Sequence, residues 1–290
     1  MKQHAEQPYV RSCPVGCTAP ITDSAIVVAE GALRRCSGCG QLLSRASAAR
    51  YAETMAQFNA ADFNAPQGRE LARRQAVAQR RLARITALLG KAAADTRVLD
   101  VGCSRGQFVA AAIAAGYRAE GVEPAPRVAE AARAAGLPVV TGLLEDQHYP
   151  DGHFDVLTLF EVIEHLRDPL PLLAECRRVL KPAGILLVST ANAESWTAAA
   201  MGARWDYFDM EKDGGHVSFY NPRSMAKIAA AAGFEVARLD TARVKFHDKG
   251  DTPRGLYVLG KIVAELLNLP ARLAGRGHDL LAYLRKPSAG

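Results

Sequence analysis

The sequence predicts an α/β fold, a parallel sheet with crossover helices, preceded by a small cysteine-paired module. Three observations carry this expectation. From Arg97 onward, short aliphatic runs alternate with alanine-rich stretches of helical period, the pattern of strands joined by crossover helices. One of those runs, Val98-Leu99-Asp100-Val101, leads directly into a glycine turn and a helix. Four of the six cysteines fall in two close pairs before residue 40. At 290 residues, 49% hydrophobic and 23% charged, the chain can form one large domain or two unequal ones, and its composition excludes a disordered or fibrous protein.

The elements are justified in chain order. The opening residues, MKQHAEQPYV, contain no apolar core, and no later stretch reaches the roughly 18 apolar residues of a spanning helix, so a cytoplasmic location is expected. In a reducing compartment paired cysteines point to metal rather than to disulfides. Cys13 and Cys17 form C-P-V-G-C, Cys36 and Cys39 form C-S-G-C, and the residues between them can make a hairpin around Ile26-Val27-Val28. Four thiolates in two pairs suit tetrahedral Zn²⁺, so residues 1–48 read as a zinc-ribbon-like module holding a structural zinc on Cys13, Cys17, Cys36 and Cys39. The first pair has one residue more than the usual two-residue gap. Cys103 and Cys176 have no sequence partner and read as small buried apolar residues.

Residues 49–92 read as a helical connector. Its main helix spans about Gly68 to Leu89, with apolar Leu71, Val77, Leu82, Ile85, Leu88 and Leu89 and a stop at Gly90. The same helix carries Arg69, Arg73, Arg74, Arg80, Arg81 and Arg84 against Glu70 alone, the local part of a net charge of +6. Such a face can track phosphate but is more often solvated, so nucleic acid is an alternative partner rather than the leading one. The strands RVLDVG, YRAEGVEP, LPVV, FDVLTLF and GILLVST follow, separated by helices. Residues 192–222 break that rhythm with Trp196, Trp205, Tyr207, Phe208, His216, Phe219 and Tyr220, which suit either a substrate lid or a satellite core under a long loop. A second insertion, 246–275, holds a helix whose Leu259, Ile262, Val263, Leu266 and Leu267 share a face. That face is expected to pack on protein, with peripheral membrane contact as the other option. HDLLAYLRKP closes the chain as a last strand.

The most informative residues surround the first turn. Glycine at 102 and 106 lets the backbone approach a ligand closely. The second strand ends in Gly121-Val122-Glu123-Pro124, which sets Glu123 at a carboxyl end beside that turn, where a carboxylate can accept both hydroxyls of a ribose. No G-x-G-x-x-G can be drawn through Gly102, Ser104 and Gly106, and Asp100 just before the turn repels phosphate and suits a cation. S-adenosylmethionine, with a sulfonium, an amino group and no phosphate, fits these residues better than a dinucleotide does.

On LDVGCSRG, GVEP, FDVLTLFEVIEHLRDP, LKPAGILLVST and GGHVSFYNPRSMAKIAAAAGFEV, residues 96–239 resemble the class I S-adenosylmethionine-dependent methyltransferases. The resemblance implies a Rossmann-like seven-stranded sheet with helices on both faces and an antiparallel last strand, in a methyltransferase domain over residues 93–290. It implies that Asp100, Gly102 and Gly106 line the methionine end of the donor, with the Ser104 hydroxyl near its carboxylate, that Glu123 holds its ribose, that Glu145, or the backbone near Leu143 and Leu144, lies by its adenine, and that Phe160 and Glu161 face donor and acceptor. The family usually has glycine where this chain has Ser104.

Methyl transfer needs alignment, exclusion of water and, for a hydroxyl acceptor, a base. His165, just after the fourth strand, and His216 in the aromatic insert are the catalytic candidates, with Asp206 and Asp209 behind them. The E-H-L-R-D-P form resembles methyltransferases acting on small molecules, including the quinone-biosynthesis O-methyltransferases. The W-D-Y-F-D and G-H-V-S-F-Y runs resemble bacterial members associated with sugars, surface polysaccharides and secondary metabolites. The leading expectation is therefore O-methylation of a glycan or a small metabolite. One alternative is a ribosomal or transfer RNA base methyltransferase using the ribbon and the arginine helix, although no N/D-P-P-Y/F/W motif ends the fourth strand. The other is a non-catalytic donor-binding or docking protein, against which stand intact Asp100, Gly106 and Glu123.

Overall fold

The computed structural model describes residues 7–60, 67–212, 215–246 and 254–288. The first residues of the opening stretch, and parts of both insertions at 213–214 and 247–253, lie outside the described residues.

The cysteine module is a hairpin of Ile21–Val28 (β1) and Gly31–Cys36 (β2), joined antiparallel to the short Leu42–Leu43 (β3). The helices Ala48–Ala60 (α1) and Gly68–Leu89 (α2) follow, and α2 stops at Gly90 in a left-handed conformation. The main sheet then alternates Arg97–Val101 (β4), Gln107–Ala114 (α3), Arg118–Glu123 (β5), Pro126–Ala134 (α4), Val139–Thr141 (β6), Phe154–Phe160 (β7), Leu170–Val179 (α5) and Leu180–Ala191 (β8). Trp196–Met201 (α6), Ser218–Phe219 (β9), Pro222–Ala231 (α7), Glu235–Ala242 (β10), Arg254–Leu273 (α8) and Asp279–Arg285 (β11) complete the chain.

Seven strands run in the order β10-β11-β8-β7-β4-β5-β6. The strands from β4 to β8 pair in parallel, and β11 lies antiparallel between β8 and β10. This is the Rossmann-like sheet with an antiparallel last strand that the sequence leads one to expect. Along β7 nearly every side chain is buried, because a central parallel strand is covered on both faces. Leu82, Ile85, Phe108, Val109 and Ala132 of α2, α3 and α4 cover one face with Val98, Val156 and Ile185. Leu173, Cys176 and Ile228 of α5 and α7 cover the other with Leu99, Val101 and Leu159. Cys103 and Cys176 are buried.

The ribbon does not hang free of this sheet. Strand β9, within the aromatic insertion, pairs antiparallel with β3 (Leu42 opposite Phe219, Leu43 opposite Ser218) and completes a second, four-stranded sheet. Across it Leu33 and Leu42 pack with Trp205, Tyr207, Phe208 and Phe219, so these aromatics form a satellite core. Asn221 caps α7 by accepting from Ser224 N, while its amide donates to the Cys39 carbonyl at 3.2 Å. Arg50 of α1 pairs with Glu211 at 2.6 Å, and the Tyr51 hydroxyl donates to the His165 carbonyl at 2.9 Å.

One expectation is overturned. Most of the apolar face of α8 does not pack on protein: Leu259, Ile262, Val263 and Leu266 are exposed, as are Val258 and Leu269, and of the predicted five Leu267 alone is partly buried, against Val244, Ala264 and Ala271. Among the described residues no helix is long and apolar enough to cross a membrane.

Candidate active site

β4 ends at Val101, and the backbone turns through Gly102 (φ 72°), Ser104 (φ 50°) and Gly106 (φ 72°) into α3. A Cβ at Gly102 would come within 2.7 Å of Val162 Cγ2, so the turn requires glycine there. Ser104 occupies the same left-handed region at a cost of about 1 kcal/mol for a residue with a side chain. It is held there because its N–H donates to Glu123 Oε2 at 2.8 Å, while Ala125 N donates to Oε1 at 2.9 Å. Burial raises the Glu123 pKa, opposed by these two N–H groups.

Asp100 is buried at the end of β4 and accepts from Thr158 Oγ1 at 2.6 Å. Burial pushes its carboxyl up to about 7, against the pull of that bond and of the Arg81 charge. Asp100, Gly102, Ser104 and Phe160 line one cleft of about 1140 Å³, with Tyr283 from β11 and a wall supplied by α2. Glu123 lies behind Ser104. Glu145 stands exposed on a turn after β6 and does not line the cleft.

Arg81 is the residue that sequence reasoning misplaces. The arginine run groups it with the exposed cations of α2, yet its guanidinium lies 4.5 Å over the Phe160 ring, lines the cleft and donates to Ser189 Oγ at 3.2 Å. Its buried Nε has no hydrogen-bond partner among the described residues. Burial lowers its pKa, opposed by the charges of Asp279 and Glu161. A signal for it exists in the spacing: Arg81 falls three residues after buried Ala78 and four before buried Ile85, on the inward stripe of the helix.

From Arg81 a polar chain runs into the protein. Ser189 Oγ donates to Glu161 Oε1 at 3.4 Å, and the Tyr207 hydroxyl lies 3.1 Å from Glu161 Oε2 and in very short contact with Glu164 Oε1. Thr190 Oγ1 is 2.7 Å from the same hydroxyl. One phenolic proton cannot serve two carboxylates. Desolvation by the surrounding protein and the charge of Glu164 raise the Glu161 pKa, although the residue itself is exposed. Glu161 also has φ 54°, a strained backbone that turns its side chain out of β7. Burial likewise raises the Tyr207 pKa, so it stays a phenol.

The two histidine candidates lie together at the far end of this chain, their rings 4.8 Å apart. Burial takes the His216 pKa down to about 4, which leaves a neutral ring with Nδ1 3.0 Å from the Tyr207 carbonyl and Nε2 4.0 Å from Glu164 Oε1. Glu164 is fully buried, and its Oε2 has no hydrogen-bond partner among the described residues. The donor atoms of Glu164, His165 and His216 lie within 4.8 Å of one another, a set that a divalent cation could use.

The sulfurs of Cys13, Cys36 and Cys39 also lie within 4.8 Å of one another, with Cys13 and Cys39 3.5 Å apart and neither in a disulfide. Cys17 lies beside them, since a Cβ at Gly38 would meet Cys17 Sγ at 2.5 Å and Cys36 Sγ at 3.9 Å, but it stands outside the group of three. Burial opposes ionisation of Cys36, but N–H groups of Cys39 and Gly38 outweigh it and bring the thiol down to about 7. Three clustered sulfurs with a fourth nearby are a donor set that zinc could use.

Residues 71–239 match the family model described as a methyltransferase domain. The ubiquinone biosynthesis O-methyltransferase of Thiobacillus denitrificans is 32% identical over 157 residues, 50% of this chain and 67% of that one. Its counterpart from Aromatoleum aromaticum is 30% identical over 159 residues, with the same shares. Among solved structures, an S-adenosylmethionine-dependent methyltransferase from Archaeoglobus fulgidus superposes with a TM-score of 0.52 at 19% identity, covering 73% of this chain and 94% of that one. One from Mesorhizobium loti gives 0.50 at 19% identity, covering 70% and 96%. The strand order, the acid-flanked turn and this match agree, and the chain belongs to the methyltransferase domain family as an S-adenosylmethionine-dependent class I methyltransferase.

Proposed function

We propose that this protein methylates a hydroxyl group on a small aromatic acceptor. The observation that supports it best is the continuous chain Arg81–Ser189–Glu161–Tyr207–Glu164, which joins the donor cleft to a pair of crowded carboxylates. When bound, S-adenosylmethionine supplies a methyl group activated by its sulfonium. On this reading Asp100 takes the donor's amino group, Gly102, Ser104 and Gly106 its methionine end, Glu123 its ribose and Arg81 its carboxylate, while Glu145, exposed outside the cleft, is given no donor contact. Glu161 accepts the proton of the acceptor hydroxyl, since a carboxylate with a raised pKa is a stronger base once ionised. Phe160 excludes water, and the neutral His216, with His165, positions Tyr207. The named relatives act in quinone biosynthesis, which favours a phenolic hydroxyl and lends no support to a sugar or polysaccharide. Residues 1–48 act as a zinc-holding brace joined through 49–92 to the catalytic unit over 93–290.

The test supplies isotopically labelled S-adenosylmethionine with a panel of catechols, monosaccharides and transfer and ribosomal RNA. Label in a catechol methyl ether, lost in Glu161→Gln, supports the reading. Label confined to sugar or RNA overturns it. Charge reversal at Arg69, exposed on α2 and outside the cleft, should leave turnover within about twofold, whereas Arg81→Ala should raise the Kd for the donor by about tenfold or more through loss of a charged hydrogen bond. The opposite pattern would restore the RNA alternative.

A pH dependence follows from Asp100. An acid whose folded pKa is raised from 3.8 to about 7 favours folding most below the lower value and gives up stability as pH climbs to the higher one. Donor affinity runs the other way, because the amino group needs the ionised carboxylate. Affinity should rise about tenfold per pH unit below pH 7 and level off above it. Calorimetric titrations across that range check this, and a flat profile would remove Asp100 from the role.

A further inference from the structure

The outward face of α8 is the largest feature that the methyl-transfer site does not explain. Leu259, Ile262, Val263, Leu266, Leu269 and Leu273 project from one side, with Leu266 73% and Leu273 80% exposed. Helical spacing puts all six within a single stripe opposite the docked Ala264 and Ala271. The other exposed large apolar residues, such as Val27, Ile113 and Val236, are scattered singly on other elements. Among the described residues the apolar exposure on α8 is therefore a single continuous stripe along one helix.

We propose that this ridge seats the protein on an anionic lipid surface. The charge pattern favours that occupant. The helix carries Arg254, Lys261 and Arg272 against Glu265, within a chain of net charge +6. Lys261 and Arg272 are exposed and, eleven residues apart, share with Glu265 one stripe bordering the apolar face, which leaves that border net positive; from it a long cationic side chain such as Lys261 reaches lipid headgroups while the leucines sink below. Arg272 also lines the donor cleft, so the docked helix would stand beside the site. Resting on the small-acceptor reading, this adds that the acceptor is lipid-soluble and arrives from the membrane.

The experiment is co-sedimentation of the full chain with phosphatidylcholine vesicles containing or lacking phosphatidylglycerol, with no donor or acceptor present. The expected result is partitioning at least about tenfold stronger onto the anionic vesicles, reduced at least about tenfold in Ile262→Glu/Leu266→Glu and weakened in Lys261→Glu. Both positions face solvent, so donor binding and the rate on a water-soluble catechol should be unchanged, which shows that the variant is folded. No binding to either vesicle, or equal binding to both, overturns the proposal. So does a concentration-dependent dimer abolished by the double substitution without vesicle binding, which would assign the ridge to a second copy. Because the vesicle assay needs no acceptor, its failure is distinct from failure of the O-methylation reading.

Discussion

Glu123→Ala is expected to weaken S-adenosylmethionine binding by about 100-fold or more, because two charge-assisted hydrogen bonds to the ribose hydroxyls are lost together. The substitution acts twice. Besides the ribose contacts proposed for it, the Glu123 carboxylate accepts from Ser104 N and Ala125 N and so holds the turn that carries the donor's methionine end. Without it, Ser104 is left in a left-handed conformation with nothing fixing its N–H. Glu123→Gln separates the two effects: one carboxamide oxygen can still anchor the turn, but the charge is gone, and an intermediate loss of affinity is expected. Isothermal titration with a thermal melt of each variant checks this. An unaltered Kd in a folded Glu123→Ala protein would take Glu123 out of the donor site.

The second large effect concerns the cysteines. Purified protein should carry one zinc per chain, and Cys39→Ser should lose it and lower the Tm by about 10 °C or more, since a structural zinc contributes folding free energy directly. The damage should travel along a defined route. The Cys39 carbonyl takes the Asn221 amide, Asn221 caps α7, and β3 pairs with β9 between His216 and Tyr220. Loosening the ribbon therefore unseats Tyr207 and the acceptor side, while Asp100 and Glu123 are held by β4 and β5 of the other sheet, whose pairing does not involve the ribbon. Turnover should fall by about 100-fold with the donor Kd changed by less than about threefold. Near-ultraviolet circular dichroism of Trp205, metal analysis and calorimetry on the same samples test it. Equal loss of donor affinity would show that the ribbon supports the whole fold.

Much of the molecule is legible in its sequence. Strand β4, its turn and Glu123 stand out because the chemistry is local: a buried aliphatic run, glycine where the backbone must turn, and an acid at a strand end. The cysteine pairs are legible for the same reason, two-ligand turns being encoded within a few residues. Helix α2 matches its expected limits because its apolar spacing and Gly90 are both short-range signals.

The parts that are not legible depend on contacts between distant segments. Strand β9 has only two residues, too few for any periodicity, and it exists because β3 offers it unpaired backbone. Tyr207 is one aromatic among several until Glu161 and Glu164 from the end of β7 meet its hydroxyl. Arg81 looks like its neighbours until α2 settles on the sheet with that side chain turned inward over Phe160. The apolar stripe of α8 is plain in the sequence, yet whether protein covers it depends on what stands opposite, and there the fold places nothing among the described residues. The sequence by itself determined the sheet, the glycine turn after β4 and the pairing of the cysteines in two short turns, because backbone propensity and turn chemistry act over a few residues. The tertiary structure alone decided the acid–tyrosine cluster, the inward arginine and the uncovered helix, because those depend on which surfaces meet when the chain closes on itself.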